Sequence, residues 1–464
     1  MTGLVDWSEA LRAAHLGLSA ADLKFREFAR QNENLLRRST FQILDSDLRL
    51  QYRQQPWPTF IGGAKLEQLK SVSLALAALI RSVPERIFHN DAAKICDFYR
   101  LPSPAAADIV LSKPNCIEDS MARGDLIDTA DGFKCIEFNF TPNVGGWETS
   151  FVAELQGKIP EIAGFVARED IRFSYTSTLQ VLFLHVVRLA EQWRLCTGGQ
   201  INVACAFAAA GLNDPGLRGA IELFQRELDQ ACLLVGDGLK GKVIACHYGQ
   251  LIPAQGSVFY SKTQVHAVLE LCLELAPAGI YRCFKAGKVL LFNGPTSTIL
   301  SDKRNIALLS QSQGSGAFSP TERDVIRNHI PWTRLVSAER VEFHGEEVFL
   351  PDLLTAERDR LVLKEGRNYG GKGVYLGRFT PAARWEEVVR TALKSGGWVV
   401  QERLDSTSYL YQCGEEGCAP HDVIWGPFVF GNTYGGVILR MQPKAAGGAV
   451  NLSLAATEGI VLEV

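Results

Sequence analysis

The chain has 464 residues, 47% hydrophobic and 21% charged, which is an ordinary globular composition with room for roughly two to four domains. Lys and Arg number 48 against 51 Asp and Glu, a formal charge of −3, so no overall field draws the protein to nucleic acid or to an anionic membrane. No apolar run reaches the length of about 18 residues that a membrane span needs; segments 72–80 and 181–189 have the length of core helices. The first residues lack the basic and apolar regions of a signal peptide. The eleven cysteines sit mostly in apolar contexts, such as Cys205, Cys232, Cys246 and Cys272. An odd number without a secretion signal predicts reduced thiols and a cytoplasmic location. Cys413 and Cys418, with His421 nearby, form the one local pair. Zinc takes about four ligands and no fourth is evident, so a polar loop holding two thiols is the expectation there.

Residues 1–120 are expected to be mainly helical. Leu11, His15, Leu16 and Leu18 begin an amphipathic pattern, and 66–80 and 84–99 continue at helical spacing. Trp57-Pro58-Thr59-Phe60-Ile61-Gly62-Gly63 predicts an intervening loop. The character changes at 121–150: segments 125–128 and 133–139 predict two strands around the turn dipeptide Asp131-Gly132. On such a hairpin Asp125 and Glu137 face each other, and Asn139 shares the face of Glu137. Residues 201–300 alternate. Strands are expected at 201–209, 232–235 and 242–245, helices at 216–229 and 263–275, and two strands around Ala286-Gly287 within 280–292. This is the pattern of a small α/β layer with parallel strands. Residues 301–352 are expected to be helical and connecting. Strands 361–364 and 398–402 flank a helix at 382–394, and a hairpin turns at Asn432-Thr433.

Two separated segments carry chemistry. In the first, Asp125, Glu137 and Asn139 offer three hard oxygen ligands on one face, which suits magnesium sharing its shell with substrate phosphates. Arg123 lies two residues before Asp125 and points the same way; it can neutralise charge in phosphoryl transfer or pair with a carboxylate. In the second, Lys364 ends an apolar strand and is followed by Gly366, Gly370, Gly371, Lys372 and Gly373. Those glycines let the backbone approach an anion closely. The pattern is not that of a Walker loop. Gln401, Glu402 and Leu404 end the next strand, where backbone groups can read an adenine edge and a carboxylate can hold ribose hydroxyls.

In these residues the chain resembles the ATP-grasp superfamily, and within it the circularly permuted branch that includes the synthetase domain of glutathionylspermidine synthase. The Arg-x-Asp and Glu-x-Asn pairs at 123–139 carry the likeness, together with Gly431-Asn432-Thr433-Tyr434-Gly435-Gly436-Val437-Ile438-Leu439-Arg440. Other ligases of this kind place the metal ligands after the glycine loop, whereas here they precede it by about 230 residues. The resemblance implies an α/β fold: a circularly permuted ATP-grasp core, a pre-ATP-grasp-like α/β domain and a helical N-terminal region. The corresponding divisions are 1–120 (helical), 121–200 (metal-binding part), 201–300 (pre-ATP-grasp-like) and 301–464 (lysine and glycine-loop subdomain with the rest of the core).

It further implies a carboxylate–amine ligase that forms an amide through an acyl phosphate and releases ADP and phosphate. ATP and Mg2+ would be its cofactors. Asp125, Glu137 and Asn139 would hold the metal, Arg123 the transferred phosphate, and Lys303 and Lys364 the ATP phosphates. Gly370, Gly371, Lys372 and Gly373 would form the lid, and Gln401, Glu402 and Leu404 the adenine pocket. Thr141, Asn143, Thr149 and Arg440 are candidate substrate contacts. The segment Phe140-Thr141-Pro142-Asn143-Val144-Gly145-Gly146-Trp147-Glu148-Thr149 differs from the serine-containing segment of glutathionylspermidine synthase, and no amidase domain precedes it, so glutathione is not the expected substrate. The expected partners are a small-molecule carboxylate and an amine. A phosphotransferase acting on a small molecule and a non-catalytic binding protein on the same fold are the alternatives. The helical region is open to three roles: shaping the acid pocket, mediating a homodimer, or covering the sheet.

Overall fold

The computed structural model describes residues 7–32, 52–103, 111, 117–141, 143, 145–272, 274–368, 371–413, 417–450 and 456–464. Helices α1 (Glu9–Leu18) and α2 (Ala20–Gln31) start on serine caps, with Ser8 and Ser19 each accepting a backbone N–H of the first turn. Leu11, His15 and Leu18 of α1 are buried as expected, whereas Leu16 is exposed. α3 (Gly63–Arg81) and α4 (Ala92–Tyr99) follow. The segment expected as a loop between helices contains β1 (Thr59–Ile61), all three residues buried. Then come the hairpin β2 (Met121–Thr129) and β3 (Gly132–Asn139), and the helices α5 (Thr149–Gly157) and α6 (Thr178–Gln192).

The α/β layer is built from β4 (Gln200–Ala206), α7 (Leu217–Val235), β5 (Lys240–Cys246), β6 (Leu251–Ala254), β7 (Ser257–Tyr260), β8 (Thr263–Val265), β9 (Ala267–Glu270), α8 (Ala278–Lys285) and β10 (Leu290–Phe292). Three expectations fail here. Residues 232–235 are the last turn of α7, because Cys232 continues the buried stripe of Leu223, Phe224, Leu228 and Ala231. Residues 263–270 are strands, not a helix. An apolar run of that length fits a buried strand as well as a helix, and β9 is sandwiched in parallel between β4 and β10. Residues 278–285 are helical, with Ile280, Cys283 and Phe284 buried at i, i+3, i+4 spacing.

The remaining elements are α9 (Arg304–Gln311), α10 (Pro320–His329), β11 (Thr333–Leu335), β12 (Arg340–Phe343), β13 (Glu346–Phe349), α11 (Leu350–Ala356), β14 (Leu361–Glu365), β15 (Val374–Leu376), α12 (Ala382–Ser395), β16 (Trp398–Glu402), β17 (Tyr409–Gln412), β18 (Cys418–Phe430), β19 (Thr433–Pro443) and β20 (Thr457–Glu463). Strands β11 to β13 interrupt the stretch expected to be helical. The β12–β13 turn is made by His344 and Gly345, both at positive φ (51° and 87°), which is the geometry of a tight hairpin.

A seven-stranded sheet in the order β1-β20-β19-β18-β2-β3, with β17 on β18, forms the centre. It is antiparallel except where β1 joins β20. The parallel sheet β10-β9-β4-β5 and the antiparallel sheet β11-β16-β14-β15 are separate. One face of the central sheet packs on α3, burying Leu69, Val72, Leu76 and Ile80 against Leu126, Trp425, Leu439 and Met441. On the other face α6 covers Met121, Phe428, Phe430 and Ile438 at one end of the strands. The polar residues described next share that second face. The described part of the helical N-terminal region thus covers the central sheet. No helix among the described residues is long and apolar enough to cross a membrane.

Candidate active site

The β2–β3 hairpin turns at Ala130-Asp131, with Thr129 paired to Gly132 at φ +90°. Continued regularly, that register would set Asp125 opposite Ile136 and send Glu137 to the opposite face. It is not regular. Leu126 pairs with Cys135 but Asp125 pairs with Glu137, so Ile136 is an extra residue, a β-bulge. The bulge turns Glu137 and Asn139 onto the face of Asp125 and Arg123, with Arg123 directly opposite Asn139. It also leaves the Ile136 carbonyl free of the ladder. Lys364 takes that carbonyl: its Nζ donates to Ile136 O and to Gln401 Oε1, both at 2.7 Å.

The two segments singled out from the sequence therefore meet at the bulge. Lys303 joins them from the turn before α9. Its Nζ lies 3.3 Å from Glu137 Oε1 and also donates to the Asn368 carbonyl, while its backbone N–H donates to Gly366 O at 3.0 Å. The residue before it is equally fixed: Arg304 Nε and Nη2 clamp Asp302 at 2.9 and 2.6 Å. Ser301 Oγ accepts the Phe140 N–H at 2.9 Å, tying this turn to the end of β3. Burial pulls the Lys364 ammonium down to about 8, against the pull of Glu137, which favours its charge.

Arg123 Nε lies 3.3 Å from Asp125 Oδ1, and Arg440 pairs with the same oxygen from two strands away. Between their strands lies β18, where Gly426 leaves room for the Arg123 side chain. A Cβ at Gly426 would stand 3.1 Å from Arg123 Cδ and 2.9 Å from Ile438 Cγ2. Burial opposes ionisation of Asp125, but Arg440 and Arg123 hold its carboxyl below the usual range.

Beyond Arg440 the polar stripe continues to Glu458, its partner across β19–β20, and to Gln54, whose Nε2 donates to Glu458 Oε2 at 2.7 Å. Glu148, just before α5, is also buried and acts electrostatically on Glu458. Burial and the adjacent Glu148 push Glu458 up to about 9. A carboxyl whose pKa is raised on folding adds stability below its unfolded pKa, and that stability is lost as pH rises toward 9. Isosteric E458Q abolishes the dependence. Between pH 6 and 8 its unfolding free energy should gain on that of the wild type by about 1.4 kcal/mol per pH unit, read by urea denaturation. A constant difference would show that the pair holds no proton.

The other expected residues are placed as follows. Gln401 spends its side chain on Lys364 and, at 3.0 Å, on Thr333 Oγ1. Glu402 meets His344 Nε2 at 3.0 Å and Arg360 Nη2 at 3.1 Å, and Leu404 is half-buried in the segment after β16. Gly371 and Gly373 have φ of +74° and +69°; Lys372 between them is exposed, and Gly370 lies outside the described residues. Thr141 Oγ1 accepts the Asn143 N–H, and the buried Thr149 hydroxyl donates to Gly146 O at 2.8 Å, both local loop contacts. His421 is buried with Nδ1 2.8 Å from Ala419 O, and no three His, Cys, Asp or Glu side chains gather as a metal cage among the described residues. Two carboxylates and one amide oxygen are instead the hard, incomplete donor set that magnesium takes when phosphates supply the rest of its shell. A cavity of about 570 Å³ beside Leu11, Thr407 and Pro420 borders none of these groups.

Glu458, Gln54 and Gly426 are absent from the sequence reading, and Glu148 is given no role there. The signal for Glu458 and Gly426 is a register across several strands, which local patterns do not carry.

No protein-family model matches the chain, and no curated protein matches it. Among solved structures, one of a protein named as a gamma-glutamylcysteine synthetase from Methylobacillus flagellatus KT aligns at 10% identity over 81% of this chain and 83% of that one, with a TM-score of 0.38. A glutathione synthetase-like effector from Globodera pallida, in its apo form, aligns at 11% identity over 96% of both chains, with a TM-score of 0.58. The mixed α/β chain described above thus shares its fold, end to end, with a glutathione synthetase-like protein.

Proposed function

We propose that the protein is an ATP-dependent carboxylate–amine ligase of circularly permuted ATP-grasp type, acting in the cytoplasm. The observation that carries this reading is the junction at the Ile136 bulge. One hairpin gathers Arg123, Asp125, Glu137 and Asn139, and two buried lysines close on it, Lys364 from the glycine-bearing segment and Lys303 from the turn before α9. The shared fold with a glutathione synthetase-like protein supports the same class. In this reading β2, β3 and β17 to β20 form the catalytic sheet. The sheet β11-β16-β14-β15 carries the nucleotide, and the parallel sheet is the pre-ATP-grasp layer.

Asp125, Glu137 and Asn139 would hold magnesium, which supplies positive charge against the ATP phosphates. Lys303 and Lys364 act as point charges on those phosphates. Arg123 faces the transferred phosphate and neutralises charge as it moves to the substrate carboxylate. The acyl phosphate so formed is opened by the amine, giving an amide and phosphate. Asp125, Glu137 and the Ile136 carbonyl hold Arg123, Lys303 and Lys364 in place, so the chain itself positions the array.

Two measurements test this. A screen of carboxylates and amines, followed by ADP release with hydroxylamine as trap, should yield a hydroxamate; AMP as product would point to adenylation and overturn the reading. A product phosphorylated without any amine would indicate the phosphotransferase instead. Lys364→Met should weaken ATP binding about tenfold to a hundredfold, since a hydrogen bond to a charged group contributes about 1.5–3 kcal/mol. Unchanged affinity by titration calorimetry would remove Lys364 from the nucleotide site.

A further inference from the structure

Behind the bulge, Lys364, Gln401 and Thr333 form a hydrogen-bonded relay. They are 6%, 3% and 1% exposed, so water is poorly placed to replace a lost partner. Thr333 of β11 and Val362 of β14 flank Gln401 of β16 in the ladder, and Lys364 lies two residues beyond Val362. All three side chains therefore share one face of that sheet. Lys364 and Gln401 are diagonal neighbours on it, a separation that long side chains bridge.

The direction of the relay is fixed at both ends. An ammonium only donates, so the oxygen of the Gln401 amide is the end that meets Lys364 Nζ, at 2.7 Å. The Pro331 carbonyl only accepts, so the Thr333 hydroxyl donates there, at 2.8 Å. Its oxygen is left to accept from Gln401 Nε2, at 3.0 Å. Thr333 is itself anchored, its backbone N–H donating to Ser310 Oγ at 3.1 Å. Either end alone dictates the same orientation of the amide.

An ammonium has three N–H groups. Two of those on Lys364 go to the Ile136 carbonyl and to Gln401 Oε1. Fixing two of three tetrahedral directions fixes the third. Both acceptors are neutral, so they orient the ammonium without cancelling its charge. Lys303 differs, since one of its partners is the Glu137 carboxylate, 3.3 Å away. A glutamate at 401 would accept the same hydrogen bond but would neutralise the lysine and repel an incoming anion. The amide holds the cation and leaves its charge for a ligand.

We propose that Gln401, oriented by Thr333, is a positioning residue that aims the third N–H of Lys364 at the nucleotide phosphates, and that its side chain takes no part in reading the base. The proposal rests on the ligase reading and reassigns one residue within it. Gln401 moves from the adenine pocket expected from the sequence to the phosphate end, and Thr333 joins it there.

The test is calorimetric titration of the full chain with Mg-ATP and with Mg-ITP, which carries the same triphosphate but lacks the adenine amino group. Gln401→Leu should weaken both nucleotides tenfold or more and keep the ratio of their affinities within threefold of the wild type. In a Lys364→Met background the same substitution should change affinity by less than threefold, because no ammonium is left to aim. Thr333→Val keeps the side-chain shape and removes only the hydroxyl. It should weaken both nucleotides threefold or more when Lys364 is present and by less than that in Lys364→Met, and it decides the matter if Gln401→Leu does not fold. A ratio shifted more than threefold, a smaller loss than stated, or equal losses with and without Lys364 overturns the assignment alone. Failure of the wild type to bind either nucleotide overturns the ligase reading and the assignment together.

Discussion

Replacing Glu137 with glutamine should lower magnesium-dependent ATP turnover by roughly 10²–10³-fold, about 3–4 kcal/mol of transition-state stabilisation, with little change in the folded chain. The substitution is isosteric and the side chain is not deeply buried: it stands in the ladder opposite Asp125 and touches Lys303 at 3.3 Å. An amide keeps the shape and one oxygen but removes the charge. Two charges then go unanswered, the magnesium ion proposed to sit between Asp125, Glu137 and Asn139 and the ammonium of Lys303. The loss should appear in turnover and in the magnesium concentration needed for half-maximal rate, while the thermal midpoint moves by only a few degrees. Asn139→Ala should act in the same direction, because a third hard oxygen is lost from the shell. Full activity in either variant would remove that residue from the metal set.

The hairpin shows how far a sequence can be read. The residue types were legible: alternating strands, a turn near Asp131-Gly132, carboxylates and an amide two apart. The shared face of Asp125 and Glu137 follows from the sequence only if the register is assumed. With Thr129 paired to Gly132, an unbroken ladder puts Glu137 on the wrong side, and the bulge at Ile136 corrects it. A bulge leaves no local composition mark here. It is stabilised from afar, by Lys364 on the freed carbonyl. The same holds for Gly426, where a Cβ would stand 3.1 Å from Arg123 Cδ, and for Arg440, which reaches Asp125 from two strands away. Glycine in a strand reads as weakness until the neighbour that uses the space is known.

Elsewhere the misreadings share one cause. Segment 263–270 is apolar enough for either period, and its pairing with β4 and β10, not its own propensity, makes it strand. Segment 57–63 has the punctuation of a loop, yet Thr59, Phe60 and Ile61 complete the edge of the last strand, β20. Contacts between the two ends of the chain are out of reach of any window along it.

Those contacts make the N-terminal helices a fixed part of the sheet, and Asp22→Asn should expose how much depends on one carboxylate. Asp22 is fully buried. Its Oδ2 is 2.6 Å from His15 Nδ1, and its Oδ1 accepts from the Phe60 N–H at 2.8 Å and from Arg26 Nη2 at 3.1 Å. His15 Nε2 accepts the Leu410 N–H of β17 at 2.9 Å, so its other nitrogen is the donor to Asp22. Burial lowers the His15 pKa, which keeps the ring neutral and leaves Arg26 as the cation that Asp22 must balance. Arg26 is itself fully buried, with its guanidinium 4.4 Å from the Tyr411 ring centroid and its Nε and Nη1 unpaired among the described residues. The pair alone is weak evidence of stability, since burying two charges costs about what their attraction returns. Breaking it is different. An amide in place of the carboxylate strands the guanidinium and sets an NH2 group against donors on every side, which costs about 3–5 kcal/mol. Against a typical domain stability of about 5–15 kcal/mol, that is a large fraction. Urea denaturation should show the midpoint falling with an unchanged slope. A loss below about 1 kcal/mol would mean that water reaches Arg26 and that the helices are only laid on the sheet, not anchored to β1 and β17.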